Sequence, residues 1–286
     1  MRSEEEVFEQ ILDFAKEDDR IRAVMLNGSR LNPNAPDDIM QDYDIVYFIK
    51  DLDPSYKNNQ DWINTFGDLV MMQQNDFENG YIFLMQFKDN VRIDLSFSDV
   101  STIKEAAKED SLTKILLDKD EVFEKGELDK PNESIHCVSK PTEQEFNEVL
   151  NEFWWIQVNI AKGIWRDELS YAKYMYDVIL IGCIRKIISW KIGSENDWNV
   201  NTGKLGKWFK NYMSNSLYKK YLEIYPGNDY YEMWASLLLA GKFVRTLAIE
   251  LAEDLGFTYP EEDDENTTTY VKKVRDLPKD SRVFRW

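Results

Sequence analysis

Five residues in the first hundred have the types and spacing that chemistry on a phosphate would need. Gly28 and Ser29 end an apolar run formed by Ile21, Ala23, Val24, Met25 and Leu26, which reads as a buried strand ending in a turn. Asp42 and Asp44 follow in Gln41-Asp42-Tyr43-Asp44-Ile45-Val46-Tyr47-Phe48, and Asp94 lies in Arg92-Ile93-Asp94-Leu95. A glycine lets the backbone turn sharply and approach a ligand closely, while a serine hydroxyl and neighbouring backbone N–H groups can donate to phosphate oxygens. Residues two apart on a strand share a face, so Asp42 and Asp44 are expected to point together. Like charges held that close favour a cation between them. A hard divalent ion prefers carboxylate oxygen and keeps company with phosphates, which makes Mg2+ the natural occupant.

The elements that must position these groups are legible as well. Tyr81 to Phe87 and Val91 to Phe97 are strand-like runs joined by Lys88-Asp89-Asn90, and they predict a hairpin. Were its second strand to lie beside the Asp42 strand, Asp94 would join the cluster as a further metal ligand or as the base that takes a proton from an attacking hydroxyl. The plain alternative for any one of these carboxylates is a solvated strand end in a chain rich in acid. The order of strand, Gly-Ser, loop, Asp-x-Asp and later strand aspartate favours the functional reading.

The same residues carry a resemblance. The chain resembles the nucleotidyltransferase superfamily and, within it, the aminoglycoside 6-adenylyltransferases that inactivate streptomycin. The likeness runs over nearly the whole chain and rests on Met25 to Arg30, Gln41 to Asp44, Gly67-Asp68, Leu84 to Phe87, Arg92 to Leu95, Leu116 to Asp120, Asn151 to Trp155, Ala161 to Gly163 and Tyr171 to Met175. It implies AMP transfer from ATP to a streptomycin hydroxyl, with release of pyrophosphate, a requirement for magnesium, and a role in antibiotic resistance. Gly28 and Ser29 would hold the triphosphate, Asp42 and Asp44 the metals, and Asp94 would be metal ligand or general base. The segment from Gln74 to Gly80 departs from the family pattern in being short. Another aminoglycoside, a lincosamide or a protein acceptor is the alternative within enzymes, and a non-catalytic nucleotide-binding module the alternative outside them.

Composition narrows the chemistry. The single histidine, His136, reads as structural, and Cys137 and Cys183 are too few for a disulfide framework or a zinc site. Carboxylates are left to do the work. A formal charge of -18 argues against a nucleic-acid partner and suits a polycationic substrate such as an aminoglycoside. No stretch near the start resembles a signal peptide, and no apolar run approaches a membrane span, so a cytoplasmic location is expected. The sequence does not set the oligomeric state, and a monomer satisfies all it shows.

The expected fold class is α+β. A nucleotidyltransferase domain over residues 1–135, with a mixed β-sheet and flanking helices, precedes a helical bundle over 136–286, with ATP and antibiotic meeting in the cleft between them. Ser3-Glu4-Glu5-Glu6 and Thr142-Glu143-Gln144-Glu145 are capping-box patterns that open helices. One helical face is expected from Phe146, Val149, Leu150, Phe153 and Trp154, a second from Tyr174, Val178, Ile181, Ile184 and Ile188, and a third from Tyr230 to Leu251 with a stop at Gly256. Lys204 and Lys207, in Thr202-Gly203-Lys204-Leu205-Gly206-Lys207, are candidates for reaching the triphosphate, although the segment is no P-loop. Trp165, Asp167, Glu168 and Asp177 are candidates for antibiotic contact, by stacking and counter-charge. For Asp177, Lys173 or Arg185 on its own helix is the plainer partner. Glu261 to Glu265 read as a solvated acidic linker.

Overall fold

The computed structural model describes residues 1–124 and 126–285, and the chain divides into two compact units, Met1–Ile135 and His136–Trp286. The first is a mixed six-stranded sheet in the order β3-β4-β5-β2-β1-β6, from β1 (Ile21–Asn27), β2 (Tyr43–Ile49), β3 (Leu69–Phe77), β4 (Gly80–Phe87), β5 (Arg92–Asp99) and β6 (Thr113–Asp118). β2 and β5 run parallel, and every other neighbouring pair is antiparallel. The β4–β5 hairpin turns through Asn90 at positive φ. Arg2 pins that turn by donating to both carboxylate oxygens of Asp89.

Alternation decides which face each strand residue serves. On β5, Ile93, Leu95 and Phe97 are buried while Arg92, Asp94 and Ser96 take the other face. The buried set packs with Tyr47, Phe66 and Phe83 under the helix α1 (Glu4–Glu17), whose Val7, Ile11 and Ala15 face inward. The capping box at Ser3 opens that helix: the Glu6 N–H donates to the Ser3 hydroxyl and the Ser3 N–H to the Glu6 carboxylate. A smaller core of Ala23, Met25 and Phe48 lies under α2 (Ile103–Glu109) on the opposite face.

The second unit is helical. Its long members are α3 (Glu143–Trp165), α4 (Ile181–Glu195), α5 (Tyr230–Leu255) and α6 (Glu261–Arg275). α3 opens on the Thr142 capping box, and α5 stops at Gly256 in the left-handed conformation. Two expectations are corrected here. The stretch before α4 is a short helix, Leu169–Tyr174, followed by a π-helical segment, Met175–Leu180, which turns Tyr176 and Leu180 inward and leaves Tyr174 and Val178 exposed. The wider i→i+5 turn shifts the register, so a single 3.6-residue face does not run through both parts. The supposed acidic linker is the first turns of α6, where four acidic residues face the positive end of the helix dipole and three basic residues occupy the last turn. Asp264 within it is buried, accepting from Arg245, the Tyr259 hydroxyl and the Thr268 hydroxyl.

Candidate functional site

The Gly-Ser turn leaves β1 with Gly28 at φ 83° and its N–H given to the Leu112 carbonyl, 3.1 Å away. A side chain at Gly28 would run into Asp44 Oδ2. The glycine is therefore demanded twice, by a left-handed backbone and by the carboxylate pressed against it. Because its own N–H is committed, any backbone donor to a ligand at this turn would have to come from Ser29 onward. Asn27 is steadied by the Thr113 hydroxyl, which donates to its side-chain oxygen at 2.9 Å.

Asp44 is the cross-strand partner of Asp94 on the parallel β2–β5 pair, and Asp42 stands one residue ahead of β2. Like charges directly opposite each other are unfavourable. Burial pushes the Asp44 carboxyl up to about 6, with Asp94 and Asp42 adding to the effect. Burial also raises Asp42, against the pull of Arg92.

Two arginines quoted in the sequence motifs but given no role there organise the site. Arg30 donates from Nε to the Asp42 carbonyl and from Nη2 to the Gln41 carbonyl, each at 3.0 Å, and its guanidinium lies 3.6 Å from the centre of the Tyr43 ring. It thereby ties the Gly-Ser turn to the residues that lead into β2. Arg92 forks onto Asp94, with Nε to Oδ1 and Nη2 to Oδ2 both at 2.8 Å, and its Nε lies 3.6 Å from Asp42 Oδ2. The signals were their positions, directly after Gly-Ser and two residues before the strand aspartate.

Carboxylates suit a hard divalent ion, and a half-buried group such as Asp44, with its charged form disfavoured, is one that such an ion would relieve. Among the described residues no three acidic, histidine or cysteine side chains already stand together as a metal cage. Both oxygens of Asp94 are turned to Arg92.

The remaining candidates lie in the helical unit. Lys204 and Lys207 are exposed on a turn where Gly203, Leu205 and Gly206 all have positive φ, and Lys207 Nζ lies 5.0 Å from the Trp208 ring centre. Trp165 is half-buried and its indole N–H donates to the Leu277 carbonyl at 2.9 Å. Asp167, at positive φ, and Glu168 are exposed in the turn after α3. Asp177 sits on the π-helical segment and pairs with Lys173 at 3.0 Å.

An acidic cluster on adjoining parallel strands, pressed against a Gly-Ser turn, has the build of the nucleotidyltransferase class. The family model for streptomycin adenylyltransferase matches residues 1–274, and the chain belongs to that enzyme family. An aminoglycoside 6-adenylyltransferase of Bacillus subtilis (strain 168) is 35% identical over 283 residues, covering 96% of this chain and 98% of the relative. One from Campylobacter jejuni is 36% identical over 279 residues, covering 95% of each. A crystal structure of an aminoglycoside 6-adenyltransferase from Bacillus subtilis is similar at 29% identity and TM-score 0.49, over 96% of this chain and 99% of that one.

Proposed function

We propose that this protein transfers AMP from ATP to a hydroxyl of streptomycin, with Mg2+ as cofactor and pyrophosphate as leaving group, in the cytoplasm where ATP is available. The carrying observation is the contact of the Gly28 turn with Asp44, itself opposite Asp94, in a chain of this family. The acceptor oxygen forms a bond to the α-phosphorus. The bond from that phosphorus to the bridging oxygen of pyrophosphate breaks, and the hydroxyl proton passes to a base.

Within this reading the Ser29 hydroxyl and the N–H groups after it donate to the triphosphate. Arg30 keeps the Asp42 carbonyl and the turn in register. Asp42, Asp44 and Asp94 would hold Mg2+, which when bound neutralises charge building on the attacking and leaving oxygens. Both Asp94 oxygens accept from Arg92. As metal ligand or proton acceptor, Asp94 would have to act in competition with that fork.

In the helical unit, Lys204 and Lys207 are read as donors to the triphosphate. Trp165, Asp167, Glu168 and Asp177 are read as the antibiotic's stacking and counter-charge groups, of which the Asp177–Lys173 pair must open to serve. Incubation with ATP, Mg2+ and streptomycin, followed by mass spectrometry, is expected to show the antibiotic heavier by one AMP. An unmodified antibiotic overturns the reading, and a panel of other aminoglycosides and a lincosamide sets the acceptor range.

A further inference from the structure

We infer that Arg92 is the built-in counter-cation of the acidic cluster and that a divalent ion must displace its guanidinium, so that metal enters this site together with a phosphate rather than alone. The inference rests on the reading of Asp42, Asp44 and Asp94 as metal ligands and goes beyond it by assigning Arg92 a function of its own.

The geometry supplies the argument. Arg92 and Asp94 are two residues apart on one face of β5, so the side chains meet without any change in the strand. The fork uses both carboxylate oxygens at 2.8 Å, and the same guanidinium reaches Asp42 at 3.6 Å. A planar fork onto a carboxylate is the strongest arrangement an arginine makes at such a site. An ion arriving without a partner must break it and leave a positive group beside a doubly charged one. An ion arriving with a phosphate meets a different balance, because phosphate oxygens accept the same two-pronged contact that Asp94 gives up. Room for the exchange exists: the Arg92 side chain is 40% exposed while that of Asp94 is only 12% exposed. Both residues stand on β5, and the longer, more exposed arginine side chain is the partner with room to swing.

The test uses the full chain at one slightly alkaline pH and Mn2+ as probe, with the free ion counted by electron paramagnetic resonance. Arg92→Gln removes the charge and the fork, and is expected to bind Mn2+ alone about five- to tenfold more tightly than the unmodified protein. Arg92→Lys keeps the charge but cannot fork, so an intermediate gain is expected. A non-hydrolysable ATP analogue should strengthen Mn2+ binding to the unmodified protein by a larger factor than it does for Arg92→Gln. Equal or weaker Mn2+ binding by Arg92→Gln overturns the inference. Should that variant fail to melt cooperatively, Arg92→Lys binding no tighter than the unmodified protein overturns it instead. Asp42→Asn and Asp44→Asn separate the two levels. If they leave Mn2+ binding untouched, the ligand reading fails and takes the inference with it. If they abolish binding while the Arg92 variants match the unmodified protein, only the role of Arg92 fails.

Discussion

Asp44 and Gly28 show how tightly the fold constrains the single positions to which the proposed function is assigned. Asp44 titrates in the folded protein near 6, above its ordinary value of 3.8. A carboxyl raised on folding lowers stability where it is ionised. The penalty sets in as pH rises from about 4 through 6 and is complete above that, on the order of 3 kcal/mol. Asp44→Asn is therefore expected to abolish AMP transfer and yet melt at a higher temperature than the unmodified protein at pH 8 in chelator, with the difference vanishing near pH 4. A lower melting temperature at pH 8 would contradict this account of the charge. Gly28→Ala goes the other way. Positive φ and the approach of Asp44 Oδ2 both oppose a side chain, so it should cost about 1–3 kcal/mol in denaturant unfolding and slow transfer as well.

At the scale of elements, a strand pair and a helix entrance each invite one measurement. The parallel β2–β5 ladder sets Asp44 opposite Asp94, but Asp42 lies outside it and depends on Arg30 for its place. Arg30→Met is expected to lower kcat about tenfold or more, because under the proposed function a small displacement of Asp42 is expensive, while the melting temperature falls only a few degrees. Steady-state kinetics beside a thermal melt checks the split, and an unchanged kcat would remove Arg30 from the positioning role. In the helical unit, Asp264 holds the first turns of α6 to Arg245, Tyr259 and Thr268. Asp264→Ala strands a partly buried guanidinium and should cost about 2 kcal/mol in denaturant unfolding, whereas alanine at its exposed neighbour Asp263 should cost almost nothing.

For the molecule as a whole, charge governs the response to acid and to salt. Asp18, held by Arg20 and hydrogen-bonded by Tyr56, titrates at about 2. Its stabilisation is present above pH 4 and is lost as pH falls toward 2, about 1 kcal/mol after solvent screening. Asp18→Asn should lower the neutral plateau of a stability-against-pH curve by about 1 kcal/mol and flatten its acid limb, the two curves converging toward pH 2. A net charge of -18 would favour capture of a polycation such as the proposed substrate. The KM for streptomycin is accordingly expected to rise with ionic strength while kcat stays nearly constant, and a KM indifferent to salt would show that the field plays no part in capture.

The sequence by itself determined the Gly-Ser turn, the Asp-x-Asp spacing, the hairpin carrying Asp94, and the capping boxes at Ser3 and Thr142, because each is written in residues a few positions apart whose local conformations are narrowly restricted. Periodicity failed where the repeat itself changed, at Met175–Leu180, and the charge pattern of Glu261 to Glu265 concealed a helix start because acid favours both water and a helix N-terminus. Only the tertiary structure decided that β2 runs parallel to β5 with Asp44 facing Asp94, that Gly28 is pressed against Asp44, and that Arg30 and Arg92 serve the acidic cluster. The facing of Asp44 and Asp94 depends on strand pairing between segments some fifty residues apart, and the approach of Gly28 to Asp44 on the pairing of β1 with β2, where the pairing is set by how the whole sheet buries its two faces.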